Sequence, residues 1–505
     1  MSVMITAAEK VGMGVDGLDH ILFGGLQKNM VYLVHGGPGT GKTTLGFHFL
    51  REGVRKGERV LYASLLQTRS ELETILISHD WSLEGIDLLE LPENIRRTSM
   101  EEQTLFNTAD IELHEVHTTI VEAIEKHKPQ RLVFDSITEL GILVDSPYQL
   151  RRQMLKLKQQ VNRLGCTTLF TASESNSVDL ESLQTVVHGV IELGIQRPNY
   201  GEPRRWLDPT KMRGMDFLGG RHDFRILTGG IEVYPRIEVS HVERQAKWRT
   251  ISSGNPELDA LFGGGLEEGT ACLFNGTTGA GKSTLAGMYA DAAAKRGDRS
   301  VIFCFDERRQ TFLRRASGLG MGIEGHIEQG LIDLRQVNVG ELTPGEFAFQ
   351  VRHAAEEKDL KIVVIDSLSG YFNAMPEQRQ LMVQLHELLS YLNGAGVLTL
   401  LVVATHGFAD HAEVDIDASY IADTVVMMRN FEAGGMIRRC ISVLKKRYGD
   451  HEKTIREIRI DKNGVRVGEP LRHFRNVLSG YPEFVGDTQS LMNSGENGES
   501  TGYSF

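Results

Sequence analysis

Residues 276–283 read Gly-Thr-Thr-Gly-Ala-Gly-Lys-Ser, and residues 36–43 read Gly-Gly-Pro-Gly-Thr-Gly-Lys-Thr. In such a run the glycines let the backbone curl so that successive N–H groups face a bound phosphate, and the lysine reaches the β- and γ-phosphates. The hydroxyl after the lysine can hold Mg²⁺. This chemistry assigns phosphate binding to Gly276, Thr277, Thr278, Gly279, Ala280, Gly281, Lys282, Ser283 and Thr284 in one copy. In the other it falls to Gly36, Gly37, Gly39, Thr40, Gly41, Lys42, Thr43 and Thr44, with Thr43 and Ser283 as metal ligands. Lys42 and Lys282 stand 240 positions apart.

The carboxylates that such sites need are also present. Two apolar runs, RLVFDS (131–136) and KIVVIDS (361–367), each end in an acid, and Asp135 and Asp366 are the expected metal partners at those strand ends. A second acidic position separates the halves. Where an orienting or proton-accepting carboxylate commonly stands, the second half has Asp306-Glu307 and the first has Leu66-Gln67. General-base help contributes roughly 10²–10⁴-fold in rate, so the first site is expected to bind nucleotide and turn it over slowly. Glu174 and Glu71 are the alternative bases there.

Late in each half comes a Lys-x-Arg, Lys211-x-Arg213 and Lys445-x-Arg447, with both cations on one side of an extended chain. On a lone domain these are ordinary surface charges. In a ring they would supply the outside positive charge that a one-sided P-loop site requires, from the next subunit.

Stepping the chain by 240 positions shows which elements hold these residues. GLDHILFGGL (17–26) falls on ELDALFGGGL (257–266), pairing Asp19 with Asp259, Gly24 with Gly264, Gly25 with Gly265 and Leu26 with Leu266. Strand-like MVYLV and TACLF (270–274) enter the two glycine runs, and helical stretches leave them. RVLYASL (59–65) pairs with SVIFCFD (300–306), and CTTLFTA (166–172) and VLTLLVVAT (397–405) read as later strands. Helical stretches such as residues 149–164 lie between them. Strands alternating with helices predict an α/β fold in each half, a mostly parallel sheet covered on both faces. The expected domains are 1–240 and 241–480, meeting near the charged run 236–249, with a polar, flexible tail at 481–505.

A formal charge of −12 weighs against general attraction to nucleic acid, and so do the acidic loops 174–188 and 406–418. Cys166, Cys272, Cys304 and Cys440 lie far apart and read as buried free thiols. The N-terminus lacks a secretion signal and no apolar run reaches about 18 residues, so a cytoplasmic location without a membrane span is expected.

Tandem P-loops, the paired Lys-x-Arg and the LDxxxxGGL lead-in resemble the KaiC family of circadian-clock ATPases, over roughly residues 10–480. HDWSL (79–83), DSLS (366–369), IADTVVMM (421–428) and HEKTIREIRI (451–460) share in the likeness. The resemblance implies RecA-like domains, a homohexameric double ring, and ATP with Mg²⁺ between neighbours. It also implies serine autokinase activity in the second domain, with Lys282, Asp306, Glu307, Lys445 and Arg447 in catalytic roles. Asp306 would accept the hydroxyl proton and Glu307 would support it. The family's Ser-Thr acceptor pair falls on Ser419 and Tyr420 within ASYIADT (418–424). Ser419 keeps a hydroxyl of the right reach; the Tyr420 hydroxyl lies further out. A KaiB-like protein is the possible partner of the first domain. Two other readings stay open at this point, a RecA-like motor on nucleic acid and a nucleotide-dependent signalling scaffold.

Overall fold

The computed structural model describes residues 9–65, 67–90, 108–142, 147–174, 180–197, 201–238, 249–338, 340, 342–373, 378–405, 418–462, 464–479 and 482–485. The chain divides into two compact units, Met1–Arg236 and Ile237–Phe505. Leu66, residues 175–179 and residues 406–417 lie outside the described residues, as do residues 239–248 and 486–505; of the segment read as a loop at 174–188, Leu180–Val186 is a helix.

In the first unit the β-branched and aromatic runs become β1 (Val31–Gly36), β2 (Val60–Ser64), β3 (Ile86–Glu90), β4 (Arg131–Asp135), β5 (Thr167–Ser173) and β6 (Gly189–Gln196). Three further strands follow, β7 (Arg204–Met212), β8 (His222–Leu227) and β9 (Gly230–Tyr234). They form one sheet in the order β9-β8-β7-β6-β1-β5-β4-β2-β3. From β6 to β3 all pairings are parallel; from β6 to β9 all are antiparallel.

The second unit repeats the plan. Its strands are β10 (Ala271–Thr277), β11 (Arg299–Cys304), β12 (Ile332–Gln336), β13 (Leu360–Asp366), β14 (Leu398–Thr405), β15 (Thr424–Ala433), β16 (Met436–Lys446), β17 (Arg456–Asp461) and β18 (Gly464–Pro470). Their order, β12-β11-β13-β14-β10-β15-β16-β17-β18, is that of the first sheet strand for strand. Each glycine run therefore leaves a central strand, at the carboxyl edge where ligands bind in sheets of this kind.

Successive side chains of a strand face opposite sides of the sheet, and both sides are apolar here. Tyr32 and Val34 join one core cluster and Val31 and Leu33 the other; Cys272 and Phe274, against Ala271 and Leu273, do the same in the second unit. All four cysteines are buried and free. The shared lead-in has a structural purpose. Asp19 accepts from the Met13 and Gly14 N–H groups, and Asp259 from the Ser253 N–H and the Ser252 hydroxyl, so each aspartate closes its own loop.

Register corrects one alignment. Ser64 pairs with Asp135 and Cys304 with Asp366, and the next N–H groups, of Leu65 and Phe305, both donate to the aspartate carbonyl. The second strands thus match at 240 positions, Leu65 with Phe305, and setting RVLYASL on SVIFCFD is one residue out. An unbroken apolar run has no landmark to fix its phase. Glu483–Phe484, within the segment read as a tail, pairs with Phe474–Arg475, and the Phe474 and Phe484 rings stand 5.1 Å apart.

Candidate nucleotide sites

Each glycine run ends on a residue that must be glycine. Gly41 and Gly281 cap the helices Lys42–Arg55 and Lys282–Lys295 with φ of 97° and 104°. That is left-handed backbone which L side chains rarely adopt. A Cβ at Gly281 would also stand 2.2 Å from Ile460 Cδ1. The turn aims the first N–H groups of a 14-residue helix at the loop, which favours anions there.

Lys282 Nζ donates to the carbonyls of Gly276 and Thr277, both at 2.7 Å, and Lys42 Nζ to those of Gly36 and Gly37 at 2.7 and 2.9 Å. Burial pushes the Lys282 ammonium down to about 8, with Asp366 pulling it up. Burial lowers Lys42 as well, against Asp135 and Glu174. Glu71, the other alternative base, serves the capping box of the helix Arg69–Ile77 with Thr68.

In the second unit a cleft of about 720 Å³ is lined by Lys282, Ser283, Asp306, Glu307, Arg315 and Asp366, among others. Asp366, raised by burial, accepts from Ser283. Asp306 accepts from the Ser367 hydroxyl. Glu307 is held by Arg315 at 2.7 and 3.3 Å. Both acids thus line one cleft with the lysine. In the first unit Thr43 donates to Asp135 at 2.9 Å. Gln67 is tied to Ser64, its N–H donating to Ser64 Oγ at 2.9 Å while that hydroxyl donates to its carbonyl at 2.7 Å. Its side-chain oxygen is buried without a partner among the described residues.

A hydroxyl beside a buried carboxylate, open toward a phosphate loop, is a donor set for Mg²⁺, which keeps several waters and uses few protein ligands. Among the described residues no group of three or more His, Cys, Asp or Glu side chains gathers as a protein-only cage. The set thus fits Mg²⁺ brought with phosphate.

The Lys-x-Arg pairs are not at their own loops. Lys445 stands opposite Val425, while Gly276 lies beside Met428, three residues or about 10 Å along β15. Lys445 Nζ donates to the carbonyls of Ser419 and Ala422 at 2.9 and 2.8 Å. Arg447 donates to the Tyr420 carbonyl at 2.8 Å and pairs with Asp423 at 3.2 Å. Lys211 and Arg213 repeat this on the carbonyls of Gln184, Val187 and Thr185. Ser419, half-buried, lies in a 3₁₀ turn, Ala418–Tyr420, before β15 and does not begin the strand; Tyr420 is 56% exposed.

Sequence reading passed over several residues that the structure brings to these sites. Arg205 and Arg439 reach across from β7 and β16 to the carbonyls of Gly39 and Gly279, at 3.1 and 2.9 Å. They stand 234 positions apart, the spacing of the two Lys-x-Arg pairs, and that repeat would have found them. Arg315, Tyr62 and Thr171 carry no motif, and Ser367 stands in KIVVIDS and DSLS without a role of its own there.

The family model described as "ATPase: KaiC" matches the chain twice, over residues 11–238 and 251–472. The circadian clock oscillator protein KaiC of Prochlorococcus marinus (strain MIT 9313) is 26% identical over 491 residues, 95% of this chain and 97% of its own. The circadian clock protein KaiC3 of Synechocystis sp. is 25% identical over 96% of this chain and 97% of its own length. KaiC of Rippkaea orientalis is 28% identical over 94% and 91%. Among the described residues no helix is long and apolar enough to cross a membrane. Two matched domains, each with its P-loop, lysine and strand-end aspartate in place, place this chain in the KaiC family of ATPases.

Proposed function

We propose that the second unit hydrolyses Mg·ATP and also passes the γ-phosphate to Ser419 of a neighbouring chain, while the first unit holds nucleotide with little turnover and helps join the chains. The observation that carries this is the second cleft itself, where Asp306 and Glu307 stand with Lys282 and Asp366, against Gln67 at the matching place of the first unit.

Lys282 and the loop amides bind the phosphates, and Ser283 with Asp366 would hold Mg²⁺, whose charge offsets that of the phosphates. Asp306, supported by Glu307, takes the proton from water or from Ser419 Oγ as that oxygen bonds to phosphorus. The β–γ bridging bond breaks, and ADP leaves with the bond's electron pair. Lys445, Arg447 and Ser419 form one cluster about 10 Å along the sheet from their own loop. That favours reaction between chains, as in a homohexameric ring. A KaiB-like partner for the first unit and a cytoplasmic location belong to the same reading.

Intact-mass measurement after incubation with Mg·ATP tests it. One added phosphate, mapped to residues 418–424 and lost in Ser419→Ala, is expected. ATP turnover with no added phosphate would leave an ATPase without kinase activity.

A further inference from the structure

Arg315 lies inside the second cleft and has no part in the scheme above. It stands in the helix Arg309–Gly318, eight residues after Glu307. Its Nη2 and Nε donate to the two Glu307 oxygens at 2.7 and 3.3 Å, and its Nη1 to Thr284 Oγ1 at 3.2 Å. Thr284 follows Ser283 in the first turn of the P-loop helix, so the guanidinium spans from the acid to the edge of the phosphate loop. Both partners of the pair are about three-quarters covered, at 29% and 25% exposure. At the matching positions of the first unit, 240 earlier, stand Ile75 and Gln67, which cannot form such a pair.

A guanidinium fork fits a carboxylate and a phosphate equally well, and binds each bidentately. In this cleft the two anions must compete for one fork. A carboxylate gripped at both oxygens has two of its roughly four acceptor positions committed and its orientation fixed, so it is badly placed to support the base beside it.

We propose that Arg315 is a positioning residue that exchanges Glu307 for the nucleotide's phosphate, so that Glu307 becomes free to act only when phosphate occupies the cleft. The inference rests on the reading that ATP binds there. It has a consequence that simple charge repulsion does not share. Neutralising Glu307 should tighten nucleotide binding because Arg315 is released to the phosphate, and the gain should vanish when Arg315 is absent.

The test uses the full chain and a photoreactive, non-hydrolysable ATP analogue, with label quantified on second-unit peptides against analogue concentration. Glu307→Gln is expected to bind about tenfold more tightly, the lower end of what a charge-assisted hydrogen bond contributes. In the Arg315→Ala background the same change should alter binding by less than about twofold. Arg315→Lys, which keeps a charge without the fork, should recover part of the gain. An equal gain in both backgrounds would reduce the effect to repulsion and overturn the proposal. Weaker binding in Glu307→Gln would make the pair a support of the fold and would overturn it too. If the unaltered protein takes no label on second-unit peptides, the nucleotide reading itself fails, and this inference with it.

Discussion

Tyr62 donates its hydroxyl to Asp135 Oδ2 at 2.5 Å, from a ring stacked on Phe47 with centroids 4.6 Å apart. Thr171 donates to the other oxygen at 2.6 Å, and Thr43 shares the first at 2.9 Å. At the matching places of the second unit, two residues before Cys304 and opposite Asp366, stand Ile302 and Val402, which have no hydroxyl. A carboxylate offers about four acceptor positions. Three are taken at Asp135 before any metal-bound water arrives, so the first site should depend less on Mg²⁺. Removing one hydroxyl, as in Tyr62→Phe, is expected to raise the ratio of nucleotide affinity with Mg²⁺ to that without by about threefold to tenfold, near 1 kcal/mol. Labelling of first-unit peptides with and without EDTA measures this, and an unchanged ratio would dismiss the role given to Tyr62.

Lys282 titrates near neutrality for a physical reason. Burial disfavours its ammonium and sets its pKa at about 8. Nucleotide phosphates favour the charged form, so the bound pKa is higher than the free one. Affinity at the second site is therefore fully present below about pH 8 and declines as pH rises above it, by up to about tenfold per unit. Binding isotherms between pH 7 and 9.5 should show this bend. In Lys282→Arg, which stays charged, affinity should be weaker and flat over that range.

The placement of Lys445 and Arg447 predicts complementation. Lys282→Ala spoils a chain's own loop, and Arg447→Ala spoils what it offers to its neighbour, so each variant alone should be nearly inactive. After the two are dissociated and reassembled together, roughly a quarter of the interfaces join an intact loop to an intact arginine, if mixing is random in a closed ring. Phosphate release should recover to about that fraction. A mixture no more active than its parts would mean that the two residues act within one chain.

Much of this architecture is legible in the amino-acid order, for identifiable reasons. The glycine runs announce themselves because only glycine tolerates the backbone at Gly41 and Gly281, and the duplication follows because both runs had to be kept. Asp135 and Asp366 are visible as acids ending apolar strands. What is not legible depends on register and on direction through the sheet. The phase of β2 against β11 needed the pairing of Ser64 with Asp135 and of Cys304 with Asp366. The separation of Lys445 from its own loop needed the antiparallel return of β16 along β15. Arg315 and Tyr62 reach their carboxylates from a helix and a strand whose local patterns are ordinary, so spacing gives no sign of them.

The central claim is the unequal division of chemistry between two nucleotide sites. Steady-state phosphate release tests it most directly, compared between the unaltered chain, Asp306→Asn and Gln67→Ala. The account predicts a loss of roughly 10²–10⁴-fold in Asp306→Asn and a change of less than about twofold in Gln67→Ala. Full turnover in Asp306→Asn, or a collapse of turnover in Gln67→Ala, would contradict it.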